Sequence, residues 1–174
     1  MKSTGVFRRI DNMGRIVIPK EIRKNLKIKD GESLEIFIND DSVVLKKYSY
    51  MCDLHDIAQN CSDSFYDVIS KDILITDLNR VIAVSGTMKK KYLNKEIGKY
   101  LGDLINKNRI TVENTKSDLE IIDRVHEECR YVICSVVVSG DAVGAVIILS
   151  DDEIDESIEK TASFIAKFLG KHLE

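Results

Sequence analysis

Gly14-Arg15-Ile16-Val17-Ile18-Pro19-Lys20-Glu21-Ile22-Arg23 decides how the first third of this chain folds. Ile16 to Ile18 are β-branched and suit a strand. Pro19 follows at once, the single proline among 174 residues. Its fixed φ and missing N–H stop a strand and suit the first turn of a helix, where that N–H has no helical partner. Lys20 to Leu26 then reads as a short helix, with Ile22 and Leu26 four apart on one face and Arg23 and Lys24 turned away from it. Upstream, Asp11-Asn12-Met13-Gly14 is a turn with Asn12 and Gly14 suited to positive φ, so Gly5–Ile10 and Arg15–Ile18 are predicted to pair as a hairpin. Downstream, Gly31 punctuates. Leu34, Ile36 and Ile38 alternate along one strand, Asn39–Asp41 turns, and Ser42–Lys47 returns.

Charge is divided along the chain. Residues 1–50 hold 11 Lys and Arg against 7 Asp and Glu, a balance of +4; the remainder hold 15 against 22, a balance of −7, which together give the net −3. Opposite signs predict two modules, residues 1–50 and 51–174, the first facing a polyanion. Arg8, Arg9, Arg15, Arg23 and Lys24 are expected on one outward surface. Arginine's planar fork fits phosphates and guanine edges. Fifty residues without cysteine or a metal-ligand cluster cannot bury a sufficient core alone, so a second copy with interleaved strands is the expected partner. The resulting two-fold symmetry matches that of palindromic duplex DNA.

Residues 2–48, and above all the quoted run with the later Leu34-Glu35-Ile36 strand and Leu45-Lys46-Lys47 exit, resemble the AbrB-type looped-hinge, swapped-hairpin DNA-binding domain. The resemblance implies an intertwined dimeric β-barrel that reads bendable, AT-rich double-stranded DNA. By position, the family's contact arginines fall on Arg8, Arg15 and Arg23. Lys24 stands where a fourth contact is often arginine, so its charge is kept and its bidentate fork is lost. Arg9, Lys2 and Lys20 would add supporting charge. Related swapped-hairpin barrels serve as antitoxins with a disordered charged tail, a poor description of the 124 residues that follow.

The second module starts without a Gly- or Pro-rich tether. A helix over about 52–69 is predicted, with Leu54, Ile57, Ala58, Cys61, Phe65 and Val68 on one face, a seam suited to a helical bundle between chains. Strands follow at Ile73–Thr76 and Val81–Ser85 around an Asp77–Arg80 turn. One helix is read across residues 89–108, burying Tyr92, Leu93, Ile97, Leu101 and Ile105. Residues 109–114 and 118–123 are short strand candidates. Residues 130–138 and 142–150 are apolar on both faces and joined by Ser139-Gly140-Asp141, which predicts the buried middle of a sheet. A closing helix carries Ile154, Ile158, Ala162, Ile165 and Leu169 as its stripe, with Asp151, Asp152 and Glu153 at its positive end. This order predicts an α+β sandwich with an antiparallel sheet.

That pattern resembles a GAF domain, which implies a small-molecule pocket between sheet and helices. Ser85, Gly86, Tyr92, His126 and Ser135 are the residues expected to border it. No glycine-rich phosphate cradle is present, so a nucleotide has no positive support. Cys52-x-x-His55 and His126-x-x-Cys129 lack the paired knuckles of a zinc site, and neither metal nor cofactor is expected. Some GAF-like proteins reduce free methionine sulfoxide through a reactive cysteine; Cys129 beside Arg130 is the candidate thiol for that enzymatic alternative, and the chain is expected not to be an enzyme. With no signal-like N-terminus and no apolar run of membrane-spanning length, the cytoplasm is the expected compartment. The two domain types in this order and at this length resemble a family of sporulation regulators of endospore-forming bacteria, implying action late, inside the forespore, by an oligomer, a dimer or a tetramer.

Overall fold

The computed structural model describes residues 4–26, 28, 30, 31, 33–48, 51, 54–107 and 110–174. The chain forms two compact units, residues 1–48 and 49–174.

In the first unit, α1 (Lys20–Asn25) begins directly after Pro19, whose φ of −57° and ψ of 147° make it the residue before the first helical turn rather than its first member. β1 (Leu34–Asn39) pairs antiparallel with β2 (Ser42–Lys47), from Leu34 opposite Lys47 to Asn39 opposite Ser42. The Asp11–Gly14 turn is present: Gly14 N donates to Asp11 O at 3.0 Å and Asp11 N to Arg15 O at 3.1 Å. Gly14 carries its positive φ of 77°, whereas Asn12 does not adopt one.

The expected hairpin is formed only at this tip, because Gly5–Ile10 and Arg15–Ile18 are not strands in the single chain. A strand exists only where a ladder partner satisfies its N–H and C=O groups, and apart from the half-buried Ile18 both segments lie open to solvent. Leu26, expected on a buried face, is likewise exposed.

The second unit is built on a five-stranded antiparallel sheet in the order β4-β3-β7-β6-β5. Its elements are α2 (His55–Ile69), β3 (Asp72–Asp77), β4 (Val81–Ser85), α3 (Lys89–Tyr92), α4 (Lys99–Ile105), β5 (Ile110–Ile122), β6 (Val125–Val138), β7 (Asp141–Ser150) and α5 (Glu156–His172). Helices cover both faces, which explains the unbroken apolar runs of β6 and β7. Val132, Cys134, Val146 and Ile148 point to the α2–α5 side. Tyr131, Ile133, Ala145 and Ile147 point to the α3–α4 side. The β6–β7 turn places both Ser139 and Gly140 at positive φ, as a two-residue hairpin turn requires.

Four expectations are corrected. The helix read across residues 89–108 is two short helices. Between them Asn94 N donates to Val81 O and Val81 N to Lys95 O, both at 2.9 Å, so this segment hydrogen-bonds beside the β3–β4 turn instead of continuing the helix. The two short strand candidates are one continuous β5, with a bulge between Glu113 and Ser117. The face that α2 buries is the expected one except at one end: Leu54 and Ala58 are buried, Ile57, Cys61 and Phe65 pack half-buried against the same core, Ser62 joins them, and Val68 is exposed. Gln59 turns toward the edge strand β4, its amide donating to Val84 O at 3.0 Å and accepting from Val84 N at 3.3 Å. An edge strand needs such partners for its backbone, so a polar residue joins the packed side of α2 that apolar spacing alone does not name. Finally, α5 starts later than its acidic lead suggested. Asp155 caps it, accepting from Ser157 Oγ at 2.6 Å and Ile158 N at 2.9 Å, and these bonds, the Ser157 hydroxyl first, hold its carboxyl below the usual range. Asp151 and Asp152 are tied to Lys116 and Lys71 instead.

Candidate nucleic-acid interface

Arg8, Arg9, Arg15, Lys20 and Lys24 are exposed in the first unit. Lys2 lies outside the described residues. Arg8 donates from Nη1 to the carbonyl of Phe7 at 2.9 Å, which leaves most of its fork to solvent. Arg23 departs from the expectation that it turns away from the packed face. It is half-buried, its Nη1 meets Asp30 Oδ1 at 2.5 Å, and its Nε is buried with no acceptor. Arg23 N donates to Pro19 O, so the proline carbonyl that ends the extended run also closes the turn that places this arginine.

Arg15 has a carboxylate partner, Asp11, that is not among the expected site residues. Asp11 accepts from Arg15 Nε at 2.8 Å with Oδ2, and from the backbone N–H groups of Met13 at 3.0 Å and Arg15 at 2.8 Å with Oδ1. Those bonds, the Arg15 backbone N–H first and its guanidinium next, hold the Asp11 carboxyl below the ordinary range. The available signal was an aspartate opening a D-x-x-G turn four residues before an arginine.

Apolar residues surround these cations without being covered. Phe7, Ile10, Ile16, Val17, Ile36 and Ile38 are all more than half exposed, Ile38 at 84%. In the β1–β2 register Ile36 stands opposite Leu45 and Ile38 opposite Val43, which makes one continuous apolar face. Single exposed apolar residues are ordinary, whereas a contiguous face is the mark of an interface.

In the second unit the five residues expected around one pocket are not brought together. Ser85 is buried, with its hydroxyl 2.8 Å from that of Ser62 and bonded to Asp63, both of them on α2. Gly86 has a φ of 102°, and a Cβ there would lie 1.9 Å from the Asp72 carboxylate, so this glycine permits a close turn. Tyr92 is fully buried on the α3–α4 side and donates its hydroxyl to Glu127. His126 pairs with Asp118 at 2.8 Å near the end of the long hairpin. Ser135 donates to Ile105 O at 2.9 Å. It also borders a cavity of about 220 Å³ with Ile110, Cys134, Val137, Ser163 and Lys167. The sheet divides the five between its faces, which the alternation of strand side chains dictates.

The cysteine chemistry is equally informative. Cys129 is buried, and desolvation, the Glu127 carboxylate and Asp151 push its thiol up to about 11. A redox nucleophile needs the opposite shift, toward the thiolate. Among the described residues no three His, Cys, Asp or Glu side chains form a group able to hold a metal ion, and no helix is long and apolar enough to cross a membrane.

A family model described as stage V sporulation protein T C-terminal, transcription factor, matches residues 53–174. Another, described as antidote-toxin recognition MazE, bacterial antitoxin, matches residues 7–53. The chain is 40% identical over 177 residues to stage V sporulation protein T of Bacillus subtilis (strain 168), covering 100% of this chain and 99% of that one. It is 50% identical over 48 residues to the transition state regulatory protein AbrB of the same organism, covering 28% of this chain and 50% of AbrB. The cofactor-binding GAF domain of the nutrient sensor CodY from Clostridium difficile superposes with a TM-score of 0.53 at 14% identity, over 89% of this chain and 94% of that chain, a likeness of fold alone. A model that spans nearly all of the second unit and a relative aligned end to end agree: the chain belongs to the stage V sporulation protein T family of transcription factors.

Proposed function

We propose that this transcription regulator of sporulation binds double-stranded DNA through its first unit, using Arg8, Arg15, Arg23 and Lys24 as contacts and Arg9, Lys2 and Lys20 as supporting charge. The observation that carries this reading is the exposure of Arg8, Arg9, Arg15, Lys20 and Lys24 in a unit half identical to AbrB. Phosphate contacts supply most of the affinity, and arginine forks read base edges where they enter a groove. The sites are AT-rich or bendable, the genes belong to the late, forespore stage, and the compartment is the forespore cytoplasm, as for the family this chain resembles.

DNA binding requires assembly. The apolar face of β1–β2 and the unladdered segments on either side of Asp11–Gly14 fit a second copy that interleaves its strands with the first. The second unit offers another assembly surface, a groove between α2 and α5 lined by Ile57, Cys61, Phe65, Phe164 and Phe168. Its aromatic rings are close, with Phe65 and Phe164 centroids 5.8 Å apart. Two surfaces of this kind make a tetramer that engages two DNA sites and gains avidity without a new contact. The second unit is thus foremost an assembly platform. Any small-molecule ligand binds without the five residues acting as one set.

Neither alternative function has comparable support. A thiol held at about 11 by burial is a poor reductase nucleophile. An antitoxin tail is disordered, and residues 49–174 are a folded unit.

Arg15→Ala tests the DNA reading. In a gel-shift titration with full-length chain the substitution is expected to weaken binding roughly ten-fold or more, with thermal unfolding unchanged. Wild-type affinity in the variant would refute the assignment of this face.

A further inference from the structure

We infer that Asp11 is a positioning residue for sequence readout, a carboxylate that orients the Arg15 guanidinium against DNA. The inference rests on the reading above that Arg15 meets DNA.

The geometry divides the work between the two carboxylate oxygens. Oδ1 accepts the Met13 and Arg15 backbone N–H groups and fixes the turn, while Oδ2 accepts Arg15 Nε–H at 2.8 Å. Guanidinium carries five N–H donors in one plane. With Nε held, the four Nη hydrogens remain for a ligand, on a side chain that is 70% exposed. An unheld arginine samples many rotamers and serves a phosphate well, since that contact needs charge more than direction. Reading a guanine edge needs both donors placed at once.

An acid in a DNA-facing surface has a cost, because it repels every phosphate alike. Asp11 therefore weakens binding to any duplex. What it returns is discrimination among sequences, and the two effects have opposite signs. A residue that merely held the turn would instead move both affinities in the same direction, along with stability.

Asp11→Asn separates these roles. The asparagine Oδ1 still accepts the two backbone N–H groups, so the turn is kept. Its Nδ2 meets Arg15 Nε donor to donor, and the negative charge is gone. Full-length wild type and variant would be titrated on a duplex selected from a random pool by the wild type, and on a random-sequence duplex of equal length. Affinity for the random duplex is expected to rise about two- to three-fold at low salt. The ratio of selected to random affinity is expected to fall roughly ten-fold, with the midpoint of thermal unfolding unchanged. Arg15→Lys keeps the charge and lacks Nε; it should lose a similar part of the ratio, and adding Asp11→Asn to it should change the ratio no further. Should Asp11→Asn lower the unfolding midpoint, the comparison of Arg15→Lys with and without Asp11→Asn carries the test, because a residue that merely held the turn would lower affinity further in that background. An unchanged ratio in a folded Asp11→Asn or in Arg15→Lys overturns the inference. If Arg15→Ala binds like wild type, the DNA reading itself has failed; if Arg15→Ala binds weakly while Asp11→Asn keeps the wild-type ratio, only the role of Asp11 has failed.

Discussion

Ile38→Asp should abolish specific DNA binding while leaving the second unit folded. Ile38 is 84% exposed in the single chain and lies on the β1–β2 face with Ile36, Val43 and Leu45. In the proposed intertwined dimer that face is covered. Burying an isoleucine side chain contributes about 1.5–3 kcal/mol, and two-fold symmetry counts each side chain twice. An aspartate there would bring one unpaired carboxylate per chain into an apolar interface, at a further cost of several kcal/mol. The expected result in light scattering is loss of the assembly that runs through the first unit. Gel shifts should show an affinity at least about a hundred-fold lower. Circular dichroism should retain the signal of the five-stranded sheet. An Ile38→Asp chain that assembles and binds as wild type would refute the covered-face account.

Gly144→Ala should destabilise the second unit by about 3 kcal/mol or more. Gly144 lies in the central strand β7, opposite Asp77 on one side and Val136 on the other. A Cβ built there comes within 2.1 Å of Thr76 O and 3.3 Å of Asp77 Cα. Both are backbone atoms of β3, so no side-chain rotation relieves the clash. The sheet must separate locally at its centre, where the helix-covered faces hold it tightly packed. Differential scanning calorimetry should show the midpoint of this unit lowered by about 10 °C. An unchanged midpoint would mean that β3 and β7 do not approach this closely.

The chemistry of single residues made parts of the fold legible in sequence. Pro19 marks where the extended run ends and α1 begins, and Ser139-Gly140 marks the tight turn between two strands buried on both faces. These follow from one proline ring and from positive φ, which act locally. What sequence concealed depends on partners far along the chain. The helix read across residues 89–108 breaks because Asn94 and Lys95 bond to Val81, a contact no local pattern announces. Gln59 joins the packed side of α2 because it serves the backbone of β4, which no apolar spacing announces. The Gly5–Ile18 hairpin shows only its tip because its flanks find no ladder within one chain.

The candidate interface was readable to the same degree. Its cations could be named from position, and the Asp11 carboxylate on Arg15 is local enough to be signalled by its turn, whereas the Asp30 carboxylate on Arg23 emerges only once the α1 exit is folded. The five residues grouped as a pocket fall on different sides of the sheet, because that side is set by strand pairing and not by local pattern.

The most direct measurement is a salt titration of DNA binding by the full-length chain, with the stoichiometry of the complex followed by light scattering. Four contact cations on each of two chains predict a slope of log affinity against log salt of about −7 if each neutralises a phosphate. The complex should contain two or four chains, and Arg15→Ala should give a shallower slope. A slope shallower than about −2, or a complex with one chain on the duplex, would contradict the claim that an assembled arginine face binds DNA.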